Sequence, residues 1–285
     1  MQTPISTARA TTDAQQAPTQ TRMPTFFIPH GGGPCFFMDW NPPDTWTRMG
    51  DFLKGLTTTL PATPRAVLVV SGHWVEAEFT VASAARPQLI YDYYGFPQHT
   101  YQLRYDAPGN PELATRVRKL LSDAGIANRE DGKRGFDHGV FIPMKLVLPE
   151  ASIPVVPLSL RTDLDPQAHL AMGRALAPLR DEGVLIVGSG MSFHNMRGYG
   201  DPRFGPISDA FDAWLTTAVE AEPAQRAAAL THWADAPNAR LSHPPGGEEH
   251  LIPLLVAAGA ASDGRGRRIF TDRVMETAIS SFRFD

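Results

Sequence analysis

Short apolar runs at 25–28, 66–71, 153–160 and 184–189 are rich in Val, Ile, Leu and Phe and are bounded by Pro or Gly, so they read as buried strands. Helical spacing fills the intervals. Two helices are marked at both ends. Over 110–124, Pro111 and Glu112 suit a first turn and Gly125 a stop; over 165–181, Pro166 follows Asp165 as a cap and Gly183 ends the run. Further helices are predicted over 44–55, 139–147, 207–221, 223–235 and 248–260, with shorter β-prone pieces between Arg268 and Phe284. This alternation predicts an α/β fold: a single domain with a central mixed, mostly parallel sheet flanked by helices.

A chain of 285 residues with 42% hydrophobic content can bury a large core, and it shows no internal repeat. Residues 1–22 are rich in Thr, Gln, Ala and Pro and are expected to form a disordered tail, leaving 23–285 as the domain. The formal net charge of -4 and a pI near 6.1 provide no field for nucleic acid or anionic lipid. No stretch approaches the roughly 20 apolar residues of a membrane span. Small molecules are therefore the expected partners, and the oligomeric state is left open. The lone Cys35 excludes an internal disulfide and any multi-cysteine zinc site, which fits a cytoplasmic protein.

Metal chemistry must then rest on histidines and carboxylates. Phe27-Ile28-Pro29-His30 ends one apolar run in Gly31-Gly32-Gly33, and Val70-Ser71-Gly72-His73-Trp74 ends another. His194 follows Gly188-Ser189-Gly190 after a third. Ligands gather outside the carboxyl ends of strands in open α/β sheets, so His30, His73 and His194 are expected to converge. His250, beside Glu248 and Glu249 at an apparent helix start, reads as a further metal ligand, whereas His99, His169, His232 and His243 read as surface or packing residues. The loops at 197–206 and 237–247 are expected to cover the pocket. Gly31-Gly32-Gly33 lacks the Lys-Ser/Thr of a phosphate loop and is read as room for close backbone approach around His30. Cys35 has no cysteine-hydrolase context and reads as structural or pocket-lining.

In chain order, His30, Ser71-Gly72-His73-Trp74, Asp137-His138-Gly139, His194-Asn195 and Glu249-His250 through Pro253-Leu254 resemble the class III extradiol ring-cleaving dioxygenases, in particular the branch of the 4,5-DOPA extradiol dioxygenases. The resemblance covers most of 24–260. It implies that His30, His73 and His250 hold one non-haem Fe(2+) per chain, with Zn(2+) as the other candidate, and that His194 is a fourth ligand or an acid/base. It further implies that His138 donates protons and that Trp74 and Asn195 meet the substrate. The reaction implied opens a catechol with O2 beside its two hydroxyls, through a seven-membered lactone that water cleaves. Other class III members use two histidines and one carboxylate, so Glu249 competes with His250 as third ligand. A zinc hydrolase on the same histidines and a non-catalytic binding protein are the rival readings.

Overall fold

The computed structural model describes residues 21–285, so residues 1–20 of the expected tail lie outside the described residues. Eight strands form one sheet: β1 (Thr25–Pro29), β2 (Ala66–Glu76), β3 (Phe79–Ala82), β4 (Asn128–Asp131), β5 (Val155–Arg161), β6 (Val184–Gly190), β7 (Gly266–Val274) and β8 (Thr277–Phe284). Their spatial order is β4-β3-β5-β2-β6-β1-β8-β7. The centre, β5-β2-β6-β1, is parallel, and β8 joins β1 antiparallel to carry the β7–β8 hairpin. The helices are α1 (Thr47–Gly55), α2 (Pro111–Asp123), α3 (His138–Val147), α4 (Pro166–Leu176), α5 (Pro178–Asp181), α6 (Gly205–Glu220), α7 (Pro223–Thr231), α8 (Ala239–Ser242) and α9 (Ile252–Ala260). Among the described residues, no helix is long and apolar enough to cross a membrane.

Strand alternation divides the core in two. Phe26, Ile28, Val67 and Val69 join the apolar layer containing Phe141 and Met144 of α3. Phe27, Leu68 and Val70 join the opposite layer with Leu254, Leu255 and Val256 of α9. Both faces of the central strands are thus covered, which is why their sequences read as continuous apolar runs rather than alternating ones.

Four expected elements end differently from the sequence reading. The helix expected over 165–181 breaks into α4 and α5 because Pro178, with no N–H to donate, cannot continue α4. The helix expected over 223–235 stops at Thr231 and gives way to a tight turn at Trp233–Asp235. The helix expected over 248–260 begins at Ile252, leaving His250 in the turn before it. The short pieces expected after Arg268 are one long hairpin, turned by Met275 and Glu276 at φ +45° and +71°, the left-handed pair that matches strand twist.

A buried arginine braces this frame. Arg180 is 1% exposed, and its guanidinium donates to Met23 O, just before β1, and to Ala260 O and Ala261 O at the end of α9. Thr25 Oγ1 also donates to Ala257 O.

Buried histidines make the fold acid-sensitive. His169 is fully buried; its Nε2 accepts from Arg161 N–H and its Nδ1 donates to Asp165 O, so the ring is neutral. Burial pushes its pKa down to about 4, and that of His243 down to about 3. The unfolded chain therefore binds protons that the folded one excludes, so stability is full above the ordinary histidine pKa near 6.5 and is lost as pH falls toward 4. His169 alone is expected to contribute about 3 kcal/mol to that loss. Urea midpoints at several pH values between 7.5 and 4.5 should fall steeply, and less steeply in His169→Gln; equal slopes would refute the assignment.

Candidate metal centre

Five histidines meet at one edge of the sheet. His30 follows the end of β1, and its ring centroid lies 4.8 Å from that of His73 and 5.1 Å from that of His250. His73 and His250 are 4.6 Å apart. His138 opens α3 and comes within 3.8 Å of the His73 ring, while His194 stacks on His250 at 3.4 Å and 14°. The expected convergence of His30, His73 and His194 is therefore found, with His138 and His250 in the same group. His73 sits within β2 rather than at a strand end: pairing to β5 slips between Val70 and Val75, and the irregular stretch carries His73.

Glycines let the backbone close around this group. Gly31 and Gly33 have φ of +80° and +54°, conformations that a side chain resists, and a Cβ on Gly31 would stand 2.3 Å from Cys35 Sγ. A Cβ on Gly190 would stand 2.0 Å from His250 O, so the end of β6 accepts the His250 turn because that position is bare.

Two of the rings are anchored from behind. His30 Nδ1 lies 2.8 Å from Gly31 O, which leaves Nε2 buried and without a hydrogen-bond partner among the described residues. His250 Nδ1 lies 2.8 Å from Glu249 Oε1, and its Nε2 faces His73 Nε2 at 3.1 Å. Two imidazole nitrogens each about 2.1 Å from a shared ion sit about 3.0 to 3.4 Å apart, so this spacing suits a metal. Burial, reinforced by the neighbouring imidazoles, holds His30, His73 and His250 well below the usual histidine pKa, and burial takes His194 down to about 4. Neutral imidazoles with oriented rings are what a divalent transition ion requires. This buried histidine group can bind a metal ion.

Two carboxylates near the site differ in what they hold. Asp92, which the sequence reading passed over, accepts the backbone N–H of His138 at 2.8 Å and lies 2.9 Å from His138 Nδ1 and 3.8 Å from His73 Nδ1. Desolvation alone would raise its pKa, but the His138 ring and N–H outweigh this and hold it below the ordinary value. Asp137 caps α3, accepts from Ser71 Oγ and Arg134 Nη2 at 2.7 Å each, and is fully buried. Ser71 Oγ in turn accepts the His73 N–H.

A cavity of about 470 Å³ opens beside the histidines, lined by aromatic residues that include Trp40, Trp46, Tyr93, Phe96 and Tyr199. Tyr199 comes from the expected covering loop at 197–206, but the 237–247 loop stays outside the lining and instead supports it: Ser242 O accepts His194 N–H and Leu241 O accepts from Asn195 Nδ2. Trp74 and Asn195, both expected at the substrate, do not line the cavity. Successive strand residues point to opposite faces, so His73 facing inward sends Trp74 the other way, against Arg134 at 4.9 Å. The Asn195 amide is taken up by Leu241 O and Arg197 N–H.

Residues 24–282 match the family described as the catalytic LigB subunit of aromatic ring-opening dioxygenase. Dioxygenase tasH of Hapsidospora irregularis is 39% identical, with 92% of this chain and 86% of that protein covered. A 4,5-DOPA dioxygenase extradiol of Beta vulgaris is 41% identical over 84% of this chain and 87% of its own length. The crystal structure of an uncharacterized protein, JW3007, from Escherichia coli K12 superposes with a TM-score of 0.73 at 29% identity, covering 93% of this chain and 100% of that one. With a family match over nearly all the described residues and a histidine centre fit for a metal, the chain belongs to the LigB family of metal-dependent, extradiol ring-opening dioxygenases.

Proposed function

We propose that this enzyme uses Fe(2+) held by His30, His73 and His250 to open a catechol with O2. The observation that carries the ligand set is the pattern of anchors. His30 and His250 each present Nδ1 to an oxygen at 2.8 Å, which frees Nε2 for an ion, and His73 Nε2 meets that of His250. The same contact argues that Glu249 orients His250 instead of replacing it, since a carboxylate behind a ligating imidazole raises its basicity and fixes its tautomer.

When bound, Fe(2+) would supply the chemistry that brings catechol and O2 together and passes electrons between them. The chain's own residues govern protons and orientation. Asp92 stands 2.9 Å from His138 Nδ1 and holds the residue through its backbone N–H, which leaves Nε2 as the atom that exchanges a proton with the substrate. His194, stacked on His250 and kept neutral by burial, is the base for the catechol hydroxyl. Trp74 and Asn195 act from behind the site, through Arg134 and the 237–247 loop. The unpaired, buried Cys35 suits a cytoplasmic location.

Zinc in a purified sample would not identify the working metal, because Zn(2+) outcompetes Fe(2+) at nitrogen sites. Anaerobic loading with Fe(2+), then air and a catechol panel, is expected to consume one O2 per catechol and to yield a yellow ring-opened product. The Zn(2+) form is expected to consume none. Absence of uptake in the Fe(2+) form, with ester hydrolysis by the Zn(2+) form, would overturn the proposal in favour of a hydrolase.

A further inference from the structure

The cavity offers its occupant ring surfaces and thioethers. Trp40 and Trp46 pack edge to face at 5.6 Å, with Trp46 beside Gly32, and Tyr93 and Phe96 pack edge to face at 5.5 Å, with Phe96 beside Gly33. Tyr94, Met196 and Met275 carry the lining to the surface, at 92%, 70% and 38% exposure. Several polar tips are turned away and occupied. The Trp40 indole N–H donates to Cys35 O, Tyr93 Oη–H to Thr100 O and Tyr199 Oη–H to Phe193 O. These bonds lock the rings and leave their apolar surfaces to the cavity.

Among the described residues, no Lys, Arg, Asp or Glu lines this cavity. The nearby charges are engaged: Asp92 with His138, Glu249 with His250, and Arg134 with Asp137. Arg197, exposed next to Met196, is the cation that a test must include. A charged ring substituent would lose water here and find no opposite charge, only the neutral Trp46 indole N–H, which is buried and without a partner among the described residues, whereas an apolar one gains from every ring it covers. A volume of about 470 Å³ falls within the roughly 300 to 1,000 Å³ of pockets that enclose ligands larger than a single ring.

We propose that the substrate is a catechol whose ring substituent is uncharged and apolar, an alkyl or aryl group that runs past Trp46 and Phe96 and emerges beside Met196 and Met275. This rests on the ring-opening reading above and names its substrate class. It sets the chain apart from the substrate in the name of the Beta vulgaris relative, whose amino-acid side chain carries an ammonium and a carboxylate.

The test compares catechols of similar size on the Fe(2+)-loaded full chain by O2 uptake: 4-propylcatechol and 4-phenylcatechol against 3,4-dihydroxyphenylpropionate, dopamine and DOPA. The neutral compounds are expected to exceed the charged ones in kcat/KM by about tenfold or more, the effect of leaving one charge unpaired. Met196→Arg should raise the carboxylate-to-neutral ratio by about tenfold, since it supplies the missing partner at the rim. Charged catechols used as well as neutral ones would overturn the proposal, and a carboxylate preference lost in Arg197→Ala would replace it with anion recognition. An unchanged ratio in Met196→Arg would overturn the path of the substituent. No uptake with any compound would overturn the ring-opening reading itself, and the proposal with it.

Discussion

His73→Ala is expected to abolish ring opening by emptying the centre, and His30→Ala and His250→Ala should do the same. The His30 and His250 imidazoles are held from behind at Nδ1, His73 Nε2 faces that of His250, and His30 Nε2 has no other partner among the described residues. Losing a ligand should weaken metal affinity by more than the roughly 10- to 100-fold typical of an outer partner. Metal analysis after gel filtration is the measurement, with His232→Ala, at an exposed helix end, as the control expected to keep its metal. Glu249→Gln should fall within the milder range and be restored by excess Fe(2+). If Glu249→Gln lost the metal and His250→Ala kept it, the carboxylate would be the ligand and His250 its support.

His138→Phe is expected to lower turnover by about 10² to 10⁴ while retaining the metal, the range for a lost general acid or base. The control on metal content is necessary because a nitrogen of His138 lies within 4.8 Å of those of His30 and His73. Asp92, whose carboxylate stands 2.9 Å from His138 Nδ1 and also accepts its backbone N–H, fixes where that ring stands. Asp92→Asn should therefore impair turnover with the metal in place, by loosening the ring it orients. Metal loss in His138→Phe equal to that in His73→Ala would make His138 a ligand and move the proton transfer to His194 or water.

The parts of the site that were legible in sequence are those announced by the pattern of the strands. His30 and His194 follow continuous apolar runs into glycine-rich turns, and burial on both faces leaves that signature. Asp92 and its aromatic neighbours Tyr93, Tyr94 and Phe96 belong to an irregular loop with no period, and Asp92 meets His138 across 46 residues of chain. The family resemblance implies Trp74 at the substrate, but Trp74 follows His73 directly, and adjacency in a strand means opposite faces. β4, Asn128–Asp131, is a polar edge strand with no apolar alternation, and β3 spans four residues, too few to show one. Helical spacing on both sides of Pro178 masks the break that a proline inside a helix imposes.

The Arg180 brace turns two elements into lever arms. It joins the chain just before β1 to the end of α9, whereas His30 and His250 stand at the opposite ends of those elements. A nine-residue helix is about 14 Å long, so a tilt of about 5° at the braced end swings the far tip by about 1 Å. A displacement of that size in a reacting site can cost about 10²-fold in rate. Three hydrogen bonds on the far side of the core thus tie together the two elements whose opposite ends carry His30 and His250.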